Sequence, residues 1–229
     1  MIPFKDDQPR YSTPYVNNFL IGINLLIFAS EFFVLGRSVI DEYSLIPARV
    51  WAVAPWTSHF DPVQFVLPFF TSMFLHAGWE HVLGNMLFLY IFGDNVEDYL
   101  GHFPYLIFYL LSGLFAAFAQ VSIYSHSHIG MVGASGAIAG VLGAYFILYP
   151  RARVLTWFFV FVVWVPAWII LGYWFVLQFL MGASTLPIVR MGRDVGGVAV
   201  WAHVGGFLAG MLLIKIFPAR ARRSPYGRY

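Results

Sequence analysis

The chain has 229 residues, 60% hydrophobic, 20% aromatic and 10% charged, with a formal net charge of +2. Soluble domains carry about a quarter charged residues, so this composition excludes an ordinary soluble domain. With no basic stripe outside the tail, the small positive balance gives no sign of a nucleic-acid partner, and the lack of cysteine excludes disulfides, thiol catalysis and cysteine-based metal sites.

In chain order, the opening MIPFKDDQPRYSTPYVNN holds acids and prolines and no apolar core, so it does not read as a cleavable signal peptide. The first apolar run is then an uncleaved anchor. Apolar runs over 17–35, 75–96, 103–124, 134–149, 154–181 and 199–217 predict six membrane-crossing helices. The expected fold is all-α: one polytopic domain over 1–229, without linker or repeat, closed by a basic tail at 218–229.

Two connections stand out. Residues 36–74 mix tryptophan, phenylalanine and proline, which predicts a first loop lying in the membrane interface. Residues 182–198 are rich in glycine and small side chains and predict a mobile outer loop, a candidate lid. Lys5, Arg10, Arg151, Arg153 and the tail fall on one side of a six-span topology, so the positive-inside bias places both termini in the cytoplasm. The absence of a targeting segment fits a bacterial plasma membrane.

Against this apolar background a few polar residues are conspicuous. His81 and Asn85 are four apart and share a helix face in the second span. Ser135 opens the fourth span, and His203 lies about one turn into the sixth. Spans two, four and six all run from outside to inside, so at about 1.5 Å per residue these groups share one shallow layer. Polar groups at membrane depth are costly and usually line a cavity. Gly136 and Gly140 in the fourth span, and Gly206 and Gly210 in the sixth, have the spacing that lets two helix backbones approach closely. Where those faces meet, Ser135 and His203 come within hydrogen-bond reach.

The set has the parts of an acyl-transfer site. A serine hydroxyl is activated when histidine takes its proton. Asn85, His81 and the Ser135 backbone N–H supply donors for an oxyanion. No carboxylate accompanies His203 at comparable depth, so the reading is a Ser–His dyad with the histidine oriented by packing. His76 reads as structural, joining the first loop to the second span, and His126 and His128 as solvated. Gly182-Ala183-Ser184 reads as loop, and Asp94, Glu97 and Asp98 as a turn network. His-Glu-x-x-His is absent, so no zinc helix is expected.

The motifs GASG at 133–136, AHVGGFLAG at 202–210 and FLHAGWEHVLGNMLFLYIFGDNVE at 74–97 together resemble the rhomboid family of intramembrane serine proteases. That resemblance implies Ser135 as nucleophile, His203 as general base, and His81 and Asn85 as oxyanion donors. It also implies Gly133 close ahead of the nucleophile, and no metal or organic cofactor. Expected partners are the lipid bilayer and transmembrane-helix substrates, with water entering under the loop before the sixth span and the fifth span as lateral gate. The chain departs from the family pattern at Leu67 and Pro68, where many relatives carry Trp-Arg, and at Ala139, where many carry an aromatic residue that stacks on the histidine. Substrate helices that unravel easily near the outer surface are expected to be preferred. Two other classes remain. A transporter would place its polar groups deeper, on discontinuous helices, and a catalytically silent rhomboid-like chaperone or scaffold would typically have lost the serine or the histidine.

Overall fold

The computed structural model describes residues 2–194 and 196–220, so most of the basic tail lies outside the described residues. The chain opens with strand β1 (Ile2–Asp6) and helix α1 (Tyr15–Ser30), which continues into a π-helical turn, Glu31–Leu35. The first loop folds into three short helices, α2 (Ser38–Tyr43), α3 (Pro47–Ala52) and α4 (Pro62–Thr71). Proline suits the first helical position of α3 and α4, where its missing N–H has no partner to lose. Asp61 caps α4 by accepting from the Val63 and Gln64 backbone N–H groups.

Helices α5 (Trp79–Leu100), α6 (His102–Ile123), α7 (Ser135–Leu148), α8 (Ala167–Arg190) and α9 (Val200–Ile216) complete the bundle. Among the described residues, Tyr15–Leu35, His102–Ile123 and Ala167–Arg190 are long and apolar enough to cross a membrane. Helices α7 and α9 are shorter, and α5 carries four carboxylates, Glu80, Asp94, Glu97 and Asp98.

Helix α7 is the axis of the molecule, buried at every residue from Gly136 to Tyr145. Its partner α9 meets it through glycine: a Cβ on Gly206 would collide with the Gly136 carbonyl, and one on Gly210 with the Gly140 carbonyl. The two small-residue faces therefore meet as their spacing predicts, with backbone lying on backbone. Around this pair, Tyr105, Tyr109, Phe92 and Phe108 fill the core. The Trp51 indole donates to the Val121 carbonyl at 3.1 Å, tying α3 to α6.

The structure corrects the sequence reading in three places. The expected fifth span at 154–181 is not one helix: Arg153–Phe158 and Phe161–Pro166 form a hairpin, β2 and β3, and the helix starts only at Ala167. The run is rich in β-branched and aromatic residues, which favour strands, and Pro166 bars continuation of a helix through it. The fold is accordingly not all-α, since β1 joins the hairpin in a three-stranded antiparallel sheet, with Pro3 opposite Thr156 and Thr156 opposite Val163. The outer loop expected at 182–198 is also shorter, because α8 runs through Gly182-Ala183-Ser184 to Arg190.

One end of the bundle gathers the chain's start and its last described residues. Glu97, fully buried, accepts from the Val16 and Asn17 backbone N–H groups at 3.0 and 2.7 Å, satisfying the start of α1. Arg220 N–H donates to the Tyr99 carbonyl at 2.7 Å. Asp7 accepts from the Arg153 backbone and guanidinium at 2.7 and 2.8 Å. Asp98 accepts from the Tyr11 backbone N–H and the Ser12 hydroxyl at 3.1 and 2.6 Å, and Asp94 pairs with Arg10 at 3.6 Å, so the acids expected as a turn network lie within α5 and tie its end to the segment before α1.

Candidate active site

At the opposite end, three helices begin at a common level. His81 is the third residue of α5, Ser135 the first of α7 and His203 the fourth of α9. The Ser135 hydroxyl lies 2.8 Å from His203 Nε2. The glycine contact between α7 and α9 makes this possible, because any larger side chain there would push the two helices apart. Gln120 of α6 accepts from the Ala202 backbone N–H at 3.1 Å and fixes the first turn of α9 beside the histidine.

Ser135 stands where α7 leaves its first backbone N–H groups without intrahelical partners, and where the positive end of the helix dipole points. The segment before it is pinned, since Gly133 N–H donates to the Ser72 carbonyl at 2.8 Å. Gly133 has φ +122°, and a Cβ there would lie 2.5 Å from His81 Nε2. Only glycine leaves room for the imidazole that faces the turn before Ser135.

Asn85 is 8% exposed, and its amide nitrogen donates to His76 Nε2 at 3.0 Å. His76 Nδ1 in turn faces the Phe74 carbonyl at 3.2 Å, which makes Nε2 the acceptor. The His76 backbone N–H donates to Glu31 Oε2 at 3.2 Å. His76 is structural, as expected, and it holds Asn85 in place with one amide hydrogen left for a ligand. His126 and His128 are exposed, as expected.

The residue types that hold His203 escaped the sequence reading. Its Nδ1 lies 2.8 Å from Gln178 Oε1, and the Trp174 ring sits 5.5 Å away, tilted by 37°. Both belong to α8, four residues apart on one face. The signal was present: glutamine is the lone strongly polar residue in WFVLQFLM. Trp174 brings an aromatic ring to the histidine from α8, and the position four after the serine is the buried Ala139.

The four groups line a cavity of about 520 Å³, together with Phe88, Ile138, Leu142 and Trp174. Its walls are mainly apolar, with Ser135, His203, His81 and Asn85 as polar groups among them, the form expected of a ligand pocket. Among the described residues no cluster of three or more histidines and carboxylates could hold a metal ion.

Comparison with known proteins identifies the family. The rhomboid domain model matches residues 64–220, more than half of the chain, and the protein belongs to the rhomboid family. It is 29% identical over 200 residues to Rhomboid-like protein 11, chloroplastic, of Arabidopsis thaliana, covering 85% of this chain and 62% of that protein. It is 26% identical over 197 residues to the mitochondrial Rhomboid protein 1 of Saccharomyces cerevisiae, covering 84% and 50%. A putative rhomboid protease of Bacillus subtilis is 35% identical over 75 residues, 33% of this chain and 37% of that one. The chain therefore spans less than two thirds of the length of these relatives. Their names span chloroplast, mitochondrion and bacterium, so they support a membrane protein and not specifically the bacterial plasma membrane expected above.

Proposed function

We propose that this protein is an intramembrane serine endopeptidase working through a Ser135–His203 dyad. The observation that carries the reading is the 2.8 Å contact between the Ser135 hydroxyl and His203 Nε2 on the wall of the cavity. Ser135 gives its proton to Nε2 as its oxygen attacks the scissile carbonyl carbon. The resulting oxyanion accepts hydrogen bonds from the free Asn85 amide hydrogen, from His81 and from the backbone N–H at the start of α7. His203 then protonates the departing amine. A water molecule, deprotonated by the same ring, releases the acid product from Ser135.

Six helices, α1 and α5 to α9, cross the bilayer in this reading, with both termini on the face opposite the site. A substrate helix must unwind before its carbonyl can be attacked, because its own hydrogen bonds and side chains shield the backbone. Segments with glycine or other poor helix formers near the membrane surface are the preferred class.

The test is fluorophosphonate labelling of protein purified in detergent, together with cleavage of a transmembrane-helix reporter. Wild type should label and cleave. Ser135→Ala should do neither, and His203→Ala should fall by at least roughly a hundredfold. Absence of labelling in folded wild type would overturn the protease reading in favour of a silent scaffold.

A further inference from the structure

We propose that Gln178 is a positioning residue for His203, and that α8 makes the histidine a base only while it is seated against α9. This rests on the dyad reading. With Gln178 Oε1 accepting from Nδ1–H, the ring takes the tautomer that leaves Nε2 unprotonated toward Ser135. Both supports of the ring, Gln178 and Trp174, sit on α8. That helix is only 17% buried over its most apolar stretch, against 39% for α6. The partners of Ser135 and Asn85, by contrast, lie on the tightly packed helices or next to them. Displacing α8 therefore strips the base of its orientation and leaves the nucleophile and oxyanion donors in place.

The experiment compares wild type with Gln178→Met, similar in shape but unable to accept at that site, and Gln178→Glu, which when ionised can only accept. The readouts are reporter kinetics and the 15N ring signals of His203, assigned by difference from His203→Ala. Expected in wild type is a neutral ring protonated at Nδ1. Gln178→Met should lose that preference and lower kcat by roughly tenfold to a hundredfold with little change in KM, and Gln178→Glu should restore both. A wild-type ring protonated at Nε2, unchanged signals in Gln178→Met, or a Gln178→Glu enzyme as impaired as Gln178→Met would overturn it. The tautomer is read without turnover, so failure of the protease reading leaves this result interpretable.

Independently, the geometry points to the β2–β3 hairpin as a lipid anchor in the leaflet on the side of the termini. Its tip, Phe159-Val160, is 80% and 83% exposed, and Phe159 has φ +55°, the one positive φ at a non-glycine among the described residues. Glycine or asparagine would sit there without strain, yet the position carries a bare aromatic ring. No charged residue occurs from 154 to 189. Cations stand at the base instead, with Lys5 Nζ 5.8 Å and the Arg153 guanidinium carbon 5.9 Å from the centre of the Trp164 ring. Lys5 and the Asp7-paired Arg153 at one end and aromatic rings at the other match the headgroup–acyl boundary. The hairpin also runs directly into the exposed Trp168 of α8. Its outer strand has an open edge, which restricts it to that boundary, since unpaired backbone does not enter hydrocarbon.

Because the chain lacks cysteine, Val160→Cys can carry one environment-sensitive fluorophore. In phosphatidylcholine–phosphatidylglycerol vesicles, nitroxide high on the acyl chain should quench it more than nitroxide deep on the chain and more than aqueous iodide. Dominant quenching by iodide would overturn the anchor. Protection from all three quenchers would also overturn it, indicating a contact between copies of the chain.

Discussion

Gly133 shows how narrow the tolerances are around Ser135. Its φ of +122° is one that side-chain-bearing residues rarely adopt, and the space a Cβ needs is filled by the His81 ring. Gly133→Ala should therefore displace His81 and cost about 1–3 kcal/mol of stability, read as a lower melting temperature in detergent with slower fluorophosphonate labelling. Single residues were also where the sequence was most legible. Ser135, His203, Asn85 and His81 stand out because polar groups are rare in apolar spans, and all four line one cavity. His76 reads as structural from the sequence, but its hold on Asn85 depends on which ring nitrogen carries the proton. That is fixed by the Phe74 carbonyl, a contact no spacing rule reveals. Gln178 is not legible in the sequence because one amide in an apolar helix has no partner in its own segment; the partner lies 25 positions away.

Among the elements, α7 and α9 form the rigid pair. Gly210→Ala would drive a methyl group into the Gly140 carbonyl. Overpacking of this kind costs about 1–3 kcal/mol, so thermal unfolding should move to lower temperature. Activity should fall as well, since separating the helices lengthens the Ser135–His203 contact. The small-residue spacing on these helices was readable because 3.6-residue periodicity survives in an apolar background when residue size alternates. Size does not alternate in WFFVFVVWVP, where every position is large and apolar. A period of two and a period of 3.6 then give the same hydropathy profile, and only the β-branched content and Pro166 distinguish a hairpin from a span. The boundary errors at the second and sixth spans are smaller: α5 starts at Trp79 and α9 at Val200.

Across the whole molecule, the sheet ties the start of the chain to the connection between α7 and α8. Asp6 accepts a hydrogen bond from the Tyr145 hydroxyl where burial, reinforced by the nearby Asp94 and Asp7, raises its pKa from 3.8 to about 6. A carboxyl with a raised folded-state pKa contributes stability that is complete below pH 3.8 and lost as pH rises through about 6. Docking of β1 should thus loosen between those limits, and Asp6→Asn should remove the dependence. A nitroxide on Phe4→Cys would report it as a gain in mobility with pH in the parent and none in the double variant.

The pairing of Ile2 with Trp157 also sets an order of events during synthesis. At roughly 5–20 residues per second, the first strand emerges about eight to thirty seconds before its partner leaves the ribosome. An unpaired edge left waiting that long invites pairing with a stranger. Proline at position 3 and the run Lys5-Asp6-Asp7 make it a poor template, so the residues that later fasten the finished sheet first serve to keep a nascent chain single.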